Sequence, residues 1–221
     1  MKRYSKIFFI VLITLASCAS SSNLRLYYYP IYDLELGKVY AFRSSETFNR
    51  NFFVALKSRI ESGNQYMYIE MFDAEFKLLT SAKELLTEER AEVVEFGVNL
   101  DSIITYIDIK SKMSFFWDFT EPTLLMAKFE NNEFKIKRMF QNAFVNYLYQ
   151  GVDYPAAHIT QEGSGELYKY AISEYNMTDL YFAKGIGMIA FKIAKPGGKK
   201  EEFVLDKMLN MNEWRILRGV N

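Results

Sequence analysis

Apolar and polar side chains alternate with a period of two along much of the chain, the signature of half-buried β-strands. Met113, Phe115, Trp117 and Phe119 alternate with Ser114, Phe116, Asp118 and Thr120, and Phe134 and Ile136 alternate with Lys135 and Lys137. Tyr66 to Met71 reads as a strand with two partly buried faces. The pattern predicts further strands near 38–43, 92–98, 103–110, 123–130, 166–173, 187–194 and 201–208. Turn residues fall between these runs at Glu61-Ser62-Gly63-Asn64, Asn131-Asn132 and Pro196-Gly197-Gly198, which favours antiparallel hairpins. The run 52–60 fits a hairpin strand best, although Phe52, Leu56 and Ile60 also match a helix.

Two segments have helical spacing. Ser81-Ala82-Lys83-Glu84 has the spacing of a capping box, with Leu78, Ala82, Leu85 and Leu86 on one helical face. Phe140, Ala143, Phe144, Tyr147 and Leu148 follow i, i+3, i+4, i+7, i+8, with Gly151 as a stop. The expected fold is mainly β: a curved antiparallel sheet or half-barrel, with about two short helices over a face or an opening.

The N-terminus breaks this pattern. Lys2, Arg3 and Lys6 precede an apolar run from Ile7 to Leu15, interrupted only by Thr14. As a helix that run reaches roughly 14 Å, against a hydrocarbon core of about 30 Å, so it reads as a secretory signal peptide. Leu15-Ala16-Ser17-Cys18 resembles the lipobox of bacterial lipoproteins. The resemblance implies a diacylglycerol-modified Cys18, cleavage just before it, and acylation (palmitate-type chains) of the new N-terminus. Ala19, in place of Asp, implies the outer membrane where a diderm envelope follows the usual sorting rule. The predicted organisation is a lipoprotein signal peptide at 1–17, an acylated Cys and Ser-rich tether at 18–23, and a single β-rich domain at 24–221.

Composition narrows the chemistry. Lys+Arg and Asp+Glu both number 27. Cleavage removes three cations and no acids, leaving a slightly acidic domain, a poor match for nucleic acid. One Cys and one His exclude an internal disulfide framework, Cys-based zinc sites and His clusters. No cofactor is expected. Gly185-Ile186-Gly187-Met188-Ile189-Ala190 matches G-x-G-x-x-A, and Asp206 lies at the distance of a ribose-binding acid. The run then alternates and meets Pro196-Gly197-Gly198, which leaves no room for the helix that such a fingerprint opens. Tyr181-Phe182-Ala183-Lys184-Gly185-Ile186-Gly187-Met188-Ile189 instead resembles a motif of β-rich envelope lipoproteins. That resemblance implies a curved antiparallel sheet of the half-barrel carrier type and no catalytic site.

Catalytic signals are weak. His158 has no G-x-S-x-G partner and reads as a surface or hydrogen-bonded loop residue. Glu88-Glu89 and Asp73/Glu75 read as solvated faces. Three features carry more. Phe115, Trp117, Phe119, Phe129, Phe134 and Phe140 fit either a packed core or the lining of an apolar pocket. Tyr27, Tyr28 and Tyr29 fit either packing against the domain or a membrane surface. Lys195, Lys199 and Lys200 fit either a solvated hairpin tip or contact with anionic headgroups. The expected function is non-enzymatic: a membrane-anchored envelope protein that binds or carries an amphipathic or apolar molecule, such as a lipid or lipoprotein. A structural or docking subunit with an envelope protein partner is the alternative, and an envelope hydrolase the lesser one.

Overall fold

The backbone resolves the alternating runs into one antiparallel sheet. The computed structural model describes residues 24–47, 50–100, 103–111, 114–117, 122–129, 132–164 and 177–220. The expected signal peptide at 1–17, Cys18, the expected tether at 18–23, Phe119, Asn131 and the expected strand at 166–173 lie outside the described residues. The described residues form fourteen strands: β1 (Lys38–Ser44), β2 (Asn51–Glu61), β3 (Asn64–Phe72), β4 (Leu78–Leu86), β5 (Arg90–Leu100), β6 (Ile103–Tyr106), β7 (Asp108–Ser111), β8 (Ser114–Phe116), β9 (Thr123–Phe129), β10 (Asn132–Tyr149), β11 (Val152–Ser164), β12 (Met177–Ala183), β13 (Gly187–Ala194) and β14 (Lys200–Asn210).

Their order is β6-β5-β4-β3-β2-β1-β14-β13-β12-β11-β10-β9-β7, with β8 beside β5. The first and last strands of this path, β6 and β7, are consecutive in the chain. They meet at Ile107, whose N–H donates to the Phe96 carbonyl (2.9 Å). The sheet therefore curls into a nearly closed barrel, more closed than a half-barrel, and few unpaired edges remain.

Both segments expected to be helices are strands. In β10, Phe140, Phe144 and Leu148 share one face, while Tyr147 lies on the other. Both faces carry apolar groups, so two strand faces interleave into an apparent helical stripe. In β4, Ala82, Glu84 and Leu86 share one face and Leu85 takes the other. The run 103–110 splits at Ile107 into two strands, and β8 is only three residues long. Asn132 opens β10 opposite Phe129 rather than sitting in a turn. His158 lies in β11, not in a loop.

The helices lie elsewhere. Short 3-10 turns form at Leu24–Tyr27 and Ile31–Leu34. Helix α1 (Met211–Leu217) opens on a capping box. The Asn210 side chain accepts from the N–H groups of Asn212 and Glu213, and the Glu213 carboxylate accepts from the Asn210 N–H.

Two apolar clusters result. The larger fills the barrel and includes Phe42, Phe52, Phe191 and Phe203. Phe191 stacks on Phe203 at 5.1 Å, and Phe42 and Phe52 meet Phe191 edge-on. The smaller lies outside, where Trp214 of α1 packs on Phe53 and Phe72.

Candidate functional site

The two 3-10 turns, Leu24–Tyr27 and Ile31–Leu34, close one end of the barrel. Pro30 separates the two 3-10 turns, and the Tyr28 and Tyr29 rings turn inward to 5% and 6% exposure. Backbone bonds fasten this plug. The Leu24 N–H donates to the Trp117 carbonyl (2.7 Å), and the Gly185 N–H donates to the Leu26 carbonyl (3.0 Å). The Ser58 hydroxyl donates to the Ile31 carbonyl (2.9 Å). Around it, Tyr28 meets Trp117 at 5.4 Å and Phe115 at 5.8 Å, while Tyr29 meets Tyr40 and Phe182.

Above the plug lies a pocket of about 130 Å³ inside the barrel, with Tyr28, Tyr29, Phe115, Phe182 and Met188 among its walls. Glu84 and Arg138 are its charged groups. Thr80, Ala82, Phe96 and Met177 also line it and are only half-buried. Thr80 and Ala82 lie farther along β4 from the plug than Glu84 does, so the pocket is closed at the plug and opens away from it. Between the plug aromatics themselves only about 10 Å³ remains, which is close packing.

The Tyr28 hydroxyl donates to Glu84 Oε2 across this pocket. Burial pushes the Glu84 carboxyl above its usual range, while the Tyr28 hydrogen bond and the Arg138 charge pull it back only in part. Burial and the neighbouring Glu84 hold Tyr28 well above the ordinary tyrosine value. Arg138 Nε donates to Gln161 Oε1 (2.8 Å), and the guanidinium sits 5.0 Å from the Phe115 ring. Glu84, Arg138 and Gln161 carried no functional signal in the sequence. Glu84 is matched there by the capping-box spacing, and inward-facing polar residues on a strand look like solvent-facing ones.

Of the six aromatics expected in a core or a pocket, Phe115 borders the pocket, Trp117 packs in the plug, and Phe140 is half-buried against the core. The side chains of Phe129 and Phe134, and all of Phe119, lie outside the described residues. Tyr28 and Tyr29 pack inside the domain rather than at a bilayer surface. Tyr27 is half-buried, 5.5 Å from Phe144.

Lys195, Lys199 and Lys200 sit at the far end of β13 from the plug, about 25 Å away along eight strand residues. Lys195 pairs with Glu46 and with the buried Glu201, and Lys200 pairs with Asp179. Only Lys199 lacks an acidic partner among the described residues. His158 is hydrogen-bonded to Asp179 (2.8 Å) and stacked on Tyr181 at 4.7 Å. Among the described residues no cluster of His, Cys, Asp and Glu has the makings of a metal site, and no helix is long and apolar enough to cross a membrane.

No family model matches the sequence, and no curated protein matches it. Among solved structures, the chain is similar to the crystal structure at 2.70 Å of a "putative lipoprotein" from Parabacteroides distasonis. Identity is 8%, the match covers 78% of this chain and 94% of that one, and the TM-score is 0.46.

Proposed function

We propose that this chain is a lipid-anchored protein of the bacterial envelope that holds an apolar or amphipathic molecule inside its barrel, without catalysis. The observation that carries the reading is the interior pocket. A barrel built only for stability would close on its aromatics, as the plug end does. This one keeps an opening lined by Phe96, Phe115, Phe182 and Met188, with Glu84 and Arg138 set into the wall.

The anchor supports the same reading. Leu15-Ala16-Ser17-Cys18 ends a few residues before the plug, and the tether 18–23 extends at most about 21 Å. An acylated Cys18 would hold the plugged end toward the bilayer and turn the open end away from it. An outer-membrane location follows where the usual sorting rule applies to Ala19.

Native mass spectrometry of the envelope-purified protein tests both parts. The expected result is a mature chain beginning at an acylated Cys18 and carrying a small co-purified molecule. An empty chain from membranes would contradict the binding reading, and a correctly cleaved, soluble Cys18→Ser protein would contradict the anchor.

A second reading has its own observation. The distal part of the β10–β11 hairpin exposes Phe144 and Leu148 on one face, an apolar pair suited to docking an envelope protein. A stoichiometric protein partner in the same native spectra, lost on Leu148→Glu, would favour it.

A further inference from the structure

The pocket contains a polar atom that the fold leaves unused. Glu84 is only 4% exposed, and Oε2 of its carboxyl is taken by the Tyr28 hydroxyl. Oε1 has no hydrogen-bond partner among the described residues. It is nonetheless open to the pocket, because the sealed and unpartnered side-chain atoms among the described residues are those of Asn99 and Thr123. A carboxyl oxygen in a low-dielectric pocket without a partner is costly unless a ligand or water supplies a donor.

The surrounding charges limit what that donor can be. The Arg138 cation acts on Glu84 from the same wall, so an incoming ammonium would be placed against a like charge. A carboxylate or phosphate head would bring an anion against Glu84. A pure hydrocarbon would fill space and leave Oε1 bare. A hydroxyl or an amide fits either protonation state of the carboxyl, because each both donates and accepts. The pocket volume is close to the ~150 Å³ hydrocarbon cavity that takes a benzene. It would hold a head and its first carbons, with the remaining chain leading past the half-buried Phe96 and Met177 toward the opening.

We infer that Glu84 Oε1 is the acceptor for a neutral hydroxyl or amide head, so that the barrel selects uncharged amphiphiles over fatty acids and hydrocarbons. This rests on the interior-binding reading above and names the chemistry of that same site. Glu84 acts as a specificity residue, and Tyr28, part of the plug, orients it.

The test is equilibrium binding of 1-octanol, octanoate and n-octane to the full acylated chain in lipid nanodiscs, corrected for partition into empty nanodiscs. The native protein is expected to bind 1-octanol about tenfold or more tightly than either of the others. Glu84→Gln, which keeps a carbonyl acceptor, should retain that preference, and Glu84→Leu should reduce it to about twofold or less. Octanoate or octane binding as tightly as the alcohol, or an alcohol preference that survives Glu84→Leu, overturns the inference and leaves interior binding intact. Failure of all three probes to bind either the native chain or Glu84→Leu overturns interior binding itself, and the inference with it.

Discussion

Gly187 lies against Tyr29 so closely that a Cβ on the glycine would fall inside the van der Waals envelope of the ring and 3.1 Å from the Tyr29 Cα. Its φ of +90° also favours glycine. Gly185, two residues earlier, shares the positive φ (75°) but has open space where a Cβ would go. The pair therefore separates backbone strain from packing. Gly185→Ala should cost about 1 kcal/mol, the strain alone. Gly187→Ala should cost about 2–4 kcal/mol, because the plug must also shift. Denaturant unfolding of the two variants checks this, and equal costs would mean that Tyr29 yields freely.

Glu84 gives the protein an inverted pH response. Its carboxyl is raised in the folded state, mainly by burial, so the folded protein holds the proton more tightly than the unfolded chain. The stability this group costs is absent at low pH and appears as pH rises from 4.5 through the folded-state value. Glu84→Gln keeps the shape and removes the titration. It should be more stable than the native protein at pH 8, and the advantage should shrink as pH falls toward 4.5. Thermal melts of both proteins across that range give the comparison.

The strands were legible by alternation where one face meets solvent, as in β9 and β14. Alternation misled in β10, where both faces carry apolar groups. Tyr147 and Tyr149 of β10 are buried on the opposite face from Phe140, so the run imitates a helix. α1 was hidden for another reason: its signal, Asn210 with Glu213 ahead of Trp214, is short and directly follows a strand. The candidate site was legible only through Phe115. Glu84 and Arg138 were not, because nothing local distinguishes an inward polar residue on a barrel strand from an outward one. That distinction depends on which face the closure of the sheet turns inside.

Asp179 has the opposite pH behaviour to Glu84. Burial alone would raise its carboxyl, but hydrogen bonds from Lys200 (2.6 Å), Thr178 (2.7 Å) and His158 (2.8 Å) hold it below the ordinary value of 3.8. Its contribution is present above 3.8 and is lost as pH falls through the lower folded-state value. Asp179→Asn should destabilise the protein by about 1–3 kcal/mol at pH 7. The gap between native and variant melting temperatures should narrow below pH 4. A gap that stays constant on acidification would show that Asp179 matters through packing rather than charge.

Trp214 tests whether the outer cluster and the interior pocket are separate. It is 3% exposed, with ring centroids 5.0 Å from Phe53, 5.4 Å from Phe72 and 5.5 Å from Phe76. Seven residues are too few for a helix to persist alone, so α1 depends on this buried anchor, with Met211 packed beside it, and on its cap. Trp214→Ala should cost about 3–5 kcal/mol and leave the 211–217 amides exchanging freely. Asn210→Ala removes only the cap and should cost about 1 kcal/mol. The backbone layer of β1 and β2 stands between this cluster and the barrel interior. Binding of 1-octanol at the Glu84 pocket should therefore be unchanged in folded Trp214→Ala. A parallel loss of affinity would mean that the two faces of the sheet are coupled and that α1 helps to shape the pocket.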